Sequence, residues 1–79
     1  MKEIIIIEDD PFSQDFYKFI FTKAGLESTI IEDGDKLFER LNDGNVGVIL
    51  MDLSLRNTYL KGIKTDGVEL ASKIKKSEL

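Results

Sequence analysis

Ile4-Ile5-Ile6-Ile7-Glu8-Asp9-Asp10-Pro11 is the stretch that decides the fold class. Consecutive β-branched apolar residues over Glu3–Ile7 are too few for a helix and leave no polar side. Such a run suits a strand buried on both faces, as strands of a parallel sheet are. The run breaks into three acids and a proline. Proline at a first helical position, with an acidic cap before it, starts a helix. That helix is expected over residues 11–24, with Phe12, Phe16, Phe19 and Ile20 on one inward face and Gly25 as its stop.

Outward from there, strand and helix signals alternate. Ser28–Ile31 reads as a second strand and Asp33-Gly34 as a turn. Residues 35–42 read as a second helix with Leu37, Phe38 and Leu41 facing inward. Val46–Met51 is apolar apart from Gly47, which places it in a sheet interior, and it ends on Asp52. Residues 53–65 read as a loop. Asp66 then caps a third helix, Gly67–Lys76, with Leu70, Ala71 and Ile74 inward. The order βαβαβα predicts an α/β fold with a parallel sheet and right-handed crossovers. Its last strand looks central yet has no successor. An apolar edge of that kind invites another chain to pair with it. The chain therefore either dimerises or swaps through this strand, or is part of a longer domain.

The remaining composition narrows the chemistry. The 79 residues make one domain with a thin stability margin. They include no cysteine and no histidine, which removes disulfides, thiolate or imidazole metal sites and Ser-His-Asp catalysis. The net charge of −4 is uneven. Residues 1–55 hold 12 acids and 5 bases, and residues 56–79 hold 3 acids and 6 bases. This balance argues against nucleic-acid binding. Lys73, Lys75 and Lys76 read as solvated charges near a helix end. No apolar run approaches the roughly 20 residues of a membrane span, and nothing resembles a signal peptide. A cytoplasmic location is expected, with no membrane partner. Tyr17 and Phe21 fall beside the inward face of the first helix and read as an apolar patch in need of a cover.

Glu8, Asp9 and Asp10 stand at the carboxyl end of the first strand, and Asp52 stands at that end of the third. Open α/β sheets bind ligands outside the carboxyl ends of their strands, where strand order reverses. In the order 2-1-3 these acids share one crevice. Carboxylates crowded together call for a cation, and oxygen ligands select a hard one such as Mg²⁺. A carboxylate beside it is able to act as a nucleophile toward phosphorus. The plainer readings are helix capping for the first three acids, with Asp10 as the cap, and a turn residue for Asp52.

Together, Ile4-Ile5-Ile6-Ile7-Glu8-Asp9-Asp10-Pro11 and Val48-Ile49-Leu50-Met51-Asp52-Leu53 resemble the receiver domain of bacterial two-component response regulators. Asp33-Gly34 and Asp66-Gly67-Val68-Glu69-Leu70 fit the same family, and the resemblance covers essentially the whole chain. It implies a flavodoxin-like parallel sheet truncated to βαβαβα, strand order 2-1-3. It also implies roles for four residues. Asp52 matches the phosphoacceptor and Asp9 the direct Mg²⁺ ligand. Glu8 matches a ligand acting through water, and the backbone carbonyl of Ser54 matches the third protein ligand. The implied partner is a histidine kinase or histidine phosphotransfer protein, and the implied function is phosphorelay signal transduction.

Three departures stand out. The family's domain is longer, with strand order 2-1-3-4-5. On that reading residues 1–79 are an incomplete receiver domain of three βα units, without the Ser/Thr that ends strand four and the Lys that ends strand five. Arg56 stands where the family usually has a proline, four residues after the acceptor. The segment between Asp52 and Gly67 is longer than usual, and Arg56, Lys61 and Lys64 make it basic. The leading expectation is Mg²⁺-dependent acceptance of a phosphoryl group on Asp52, switching a protein-interaction surface. The alternative is a non-switching half-domain that pairs through its third strand. A small Mg²⁺-dependent phosphatase ranks last, because no general acid or lysine completes such a site.

Overall fold

The computed structural model describes residues 2–76. Three strands, β1 (Glu3–Ile7), β2 (Ser28–Ile31) and β3 (Val46–Met51), form a parallel sheet in the order β2-β1-β3. Between them run α1 (Pro11–Lys23) and α2 (Gly34–Asn42), and α3 (Gly67–Lys76) closes the described chain. The isoleucine run is thus the central strand, bonded on both edges. Ile5, Ile6 and Ile7 are all buried, as a strand covered on both faces requires.

The expected caps form. Asp10 accepts the Ser13 amide at 3.0 Å and starts α1 with Pro11 in its first turn. Asp33 caps α2, and Asp66 caps α3 by accepting the Glu69 amide at 2.9 Å. Past α1 the chain turns at Gly25 with φ 73°, where glycine adopts the left-handed region freely.

Four details differ from the sequence reading. First, residues 53–65 are not merely a loop. They contain an antiparallel hairpin of β4 (Thr58–Leu60) and β5 (Ile63–Thr65). Its two-residue turn places Lys61 at φ 52° and Gly62 at φ 79°, the pair of positive angles that suits strand twist in a tight hairpin. The segment also supplies core. Leu55 and Leu60 pack with Ile5, Ile7, Ile31, Leu37 and Leu70.

Second, α1 is rotated from the expected face. Phe12, Phe16 and Phe19 are 86%, 60% and 61% exposed, whereas Tyr17 and Phe21 are half-buried. Gln14 explains the phase. Its Nε2 donates to the Glu8 carbonyl at 2.7 Å and to Glu32 Oε1 at 2.6 Å, tying that side of α1 to the ends of β1 and β2. Five aromatics in one helix leave both faces apolar enough to satisfy a helical repeat, and a polar anchor chooses between them.

Third, β3 is an edge strand within the described residues, not an interior one. Val48 is 56% exposed and Leu50 37%. A register shift beside Glu3 puts Val46, with Ile49 and Met51, against the core. Gly47 sits at this irregularity, where a Cβ would come within 2.8 Å of Lys2 Cβ. Fourth, Ala71 is exposed, so α3 faces the core through Leu70 and Ile74 alone of the three expected residues.

At the far end of the sheet Arg40 forms an ion pair with Glu3, which also accepts the Thr29 hydroxyl at 2.7 Å. This network ties α2, β1 and β2 together at the ends opposite the acidic cluster.

Candidate functional site

Parallel register builds the site. Ile7 is level with Ile31 on one side and Met51 on the other. The ladder continues one bond further on each edge: the Glu8 amide donates to the Ile31 carbonyl at 3.2 Å, and the Asp52 amide to the Ile7 carbonyl at 3.2 Å. Two strands that end level therefore deliver Glu8 and Asp52 side by side. A one-residue slip would send one of them to the other face of the sheet.

Their carboxyl groups stand close enough to perturb one another's titration. Glu8 is almost wholly buried. Burial pushes its pKa above the ordinary glutamate value, opposed by the Asp10 amide, which donates to Oε2 at 3.2 Å. The Asp52 and Asp9 carboxylates push it further in the same upward direction. Asp52 moves the other way. The Ser54 amide, at 3.0 Å from Oδ1, is the main cause, and burial opposes it. The Ser54 hydroxyl at 2.9 Å, the neighbouring Glu8 carboxyl and the charge of Arg56 add to the lowering. The two carboxyls are thus pushed in opposite directions, Glu8 toward keeping its proton and Asp52 toward losing it, as neighbouring carboxyls in one site are.

α3 presses on this corner. A Cβ on Gly67 would lie 2.2 Å from the Asp52 carbonyl oxygen, so glycine is what allows the helix start to approach the strand end. Asp10 stays in its capping role, accepting both the amide and the hydroxyl of Ser13.

Asp9 is directed elsewhere. Its Oδ2 accepts the Arg56 amide at 2.8 Å, the Asn57 amide at 2.7 Å and the Thr58 hydroxyl at 3.0 Å. Among the described residues no three acidic side chains are gathered as a cluster able to hold a metal ion. The oxygen donors of the Glu8–Asp52 pair nevertheless fit a hard divalent cation. Ser54 reaches Asp52 through its amide and hydroxyl.

A family model, that of the response regulator receiver domain, matches residues 4–79. The chain belongs to that family. Receiver domains act in phosphorelay signalling, generally with histidine kinases as partners, and typically use Mg²⁺. In this receiver domain no helix among the described residues is long and apolar enough to cross a membrane.

Sequence reasoning singled out Glu8, Asp9 and Asp52 and missed the groups that bond to Asp9 and to the end of β1. Gln14, Asn57 and Thr58 were not singled out. A signal for the last two was present. Thr58-Tyr59-Leu60-Lys61-Gly62-Ile63-Lys64-Thr65 is two short β-prone runs around a turn ending in glycine, a hairpin pattern.

Proposed function

We propose that this receiver domain accepts a phosphoryl group on Asp52 from a histidine kinase or histidine phosphotransfer protein. Mg²⁺ is held by Glu8, Asp9 and Asp52 together with the backbone carbonyl of Ser54. The observation that carries the reading is the Glu8–Asp52 pair, in which a carboxylate held ionised by Ser54 stands beside a buried carboxyl. An ionised oxygen on Asp52 attacks phosphorus, the donor's nitrogen–phosphorus bond breaks, and the donor imidazole leaves with a proton taken from water. The cation, when bound, supplies positive charge for the phosphoryl oxygens. Ser54 keeps the Asp52 carboxylate oriented and ionised, and the Arg56 charge favours an anionic donor. Acceptance on Asp52 then alters the surface that α3 and the hairpin build around it.

Intact-mass analysis after incubation with a small phosphoryl donor and Mg²⁺ tests this. One phosphoryl adduct is expected, and Asp52→Asn should lose it. A folded sample that gains no adduct refutes the proposal.

The exposed side of β3 supports a second reading, a non-switching half-domain that pairs through this strand. Val48 and Leu50 are the apolar residues such pairing would cover.

A further inference from the structure

The Asp9 carboxylate is drawn toward two different places. In the structure it anchors the turn that leads into the hairpin: two successive backbone amides and a hydroxyl converge on one oxygen, Oδ2. Successive amides aimed at one point form a concavity for an anion, and here the anion is an internal side chain. For the phosphoacceptor function that carboxylate must join Glu8 and Asp52, and in the hairpin-bound arrangement those three do not form a cluster. We propose that the 55–58 turn and a divalent cation compete for Asp9, so that cation binding unlatches the hairpin and the latched hairpin holds the site in a low-affinity state.

The proposal rests on the reading of Asp9 as a cation ligand, and the burial around the turn makes the competition steep. Arg56 and Asn57 are exposed, so water is able to replace Asp9 at their amides. Thr58 is fully buried, and its hydroxyl donates to Asp9. When Asp9 leaves, that hydroxyl has to find water, and it reaches water only if β4 moves. A buried donor stripped of its partner costs far more than an exposed one. Nor is the turn able to follow Asp9 freely, because Leu55 and Leu60 are held in the core on either side of it.

The other end of the hairpin is fastened separately. The Lys61 amide donates to both oxygens of Asp35, at 3.2 and 3.1 Å. Release is therefore local, a hinge at the Asp9 end about a tip kept on α2. The coupling is reciprocal: whatever factor the latch takes from cation affinity, the cation takes from latch stability. A hairpin that follows β3 and precedes α3 in the chain thereby reports cation occupancy before any phosphoryl group arrives.

The test is amide hydrogen exchange read residue by residue on the whole chain, with and without Mg²⁺, and no phosphoryl donor. Exchange at Arg56 and Asn57 should accelerate about ten-fold or more with Mg²⁺, the loss expected for hydrogen bonds to a charged acceptor. The Lys61 amide should keep its protection. Cleavage by trypsin after Arg56 should rise in parallel. Thr58→Val, which removes one of the three donors, should tighten Mg²⁺ binding about ten-fold. Unchanged protection at Arg56 and Asn57 at every Mg²⁺ concentration that preserves the fold overturns the proposal, whatever Thr58→Val does. Since no phosphoryl transfer is involved, failure of the latch and failure of Asp52 phosphorylation are separate results.

Discussion

Gly67→Ala is the substitution that most directly tests how the acceptor corner is packed. The added Cβ would stand 2.2 Å from the Asp52 carbonyl oxygen, 2.7 Å from Leu53 Cα and 2.9 Å from the Asp52 carbonyl carbon. All three are backbone atoms, so no side chain is able to rotate away, and the start of α3 has to retreat by about 1 Å to restore ordinary contact. Overpacking of this kind costs about 1–3 kcal/mol, and the upper end applies where backbone must move. Alanine's better helix propensity returns at most about 1 kcal/mol. The net expectation is a loss of about 2 kcal/mol, from a chain whose total stability is on the order of 4–12 kcal/mol. Urea unfolding followed by circular dichroism measures the loss. Amide resonances of Asp52, Leu53 and Ser54 should shift in the same variant. Gly25→Ala is the control: its Cβ meets nothing within 4 Å and suffers only the positive φ, so it should leave those resonances in place. A Gly67→Ala protein as stable as the parent, with unmoved Asp52 resonances, would refute the close approach of α3.

Glu8→Gln keeps the size of the side chain but removes a carboxyl whose pKa is raised in the folded state. The Glu8 contribution is full below its ordinary value of 4.5 and is lost as pH rises through the folded value. The variant should therefore show a smaller decline in stability above pH 4.5 when unfolding is followed against pH without divalent cations. Asp52 runs oppositely, its contribution being present above 3.8 and lost as pH falls through its lowered value. Asp52→Asn should accordingly soften the acid limb of the same profile. Asp10→Ala removes the acceptor for Ser13 and should cost about 1 kcal/mol in a urea titration, without abolishing Mg²⁺ binding. Sedimentation of Val48→Lys checks the β3 edge: a parent that self-associates through it should become monomeric, and an unchanged size distribution would count against that pairing.

The sheet was readable because its signal is redundant. Four isoleucines, a capped proline and two acids at matching strand ends each point to the same parallel order, and the structure places β1 between β2 and β3 accordingly. Glu8 and Asp52 were brought together by register, which the sequence implied through strand ends. The phase of α1 was not readable. Phe12, Phe16 and Phe19 compete with Tyr17 and Phe21 for the same helical repeat, and the choice depends on Gln14 reaching Glu32, eighteen residues away. The destination of Asp9 was hidden for a similar reason. Its partners lie 47 to 49 residues downstream, in a segment whose strands are only three residues each and whose turn uses lysine where asparagine or aspartate would have announced it.

Placing β1 at the centre of the sheet also sets a timetable for its assembly. The strand made first acquires its β2 neighbour once Ile31 has been synthesised, but its other edge waits for Met51, about twenty residues later. At ribosomal rates that interval is roughly 1–4 s. Through it, the most apolar strand of the nascent chain has one side of its backbone unpaired. The acids at Glu8, Asp9 and Asp10 follow directly after the isoleucines, and they place like charges beside any second copy that stacks there in register. The residues that build the phosphoacceptor corner in the finished fold thereby also discourage nascent chains from pairing with one another.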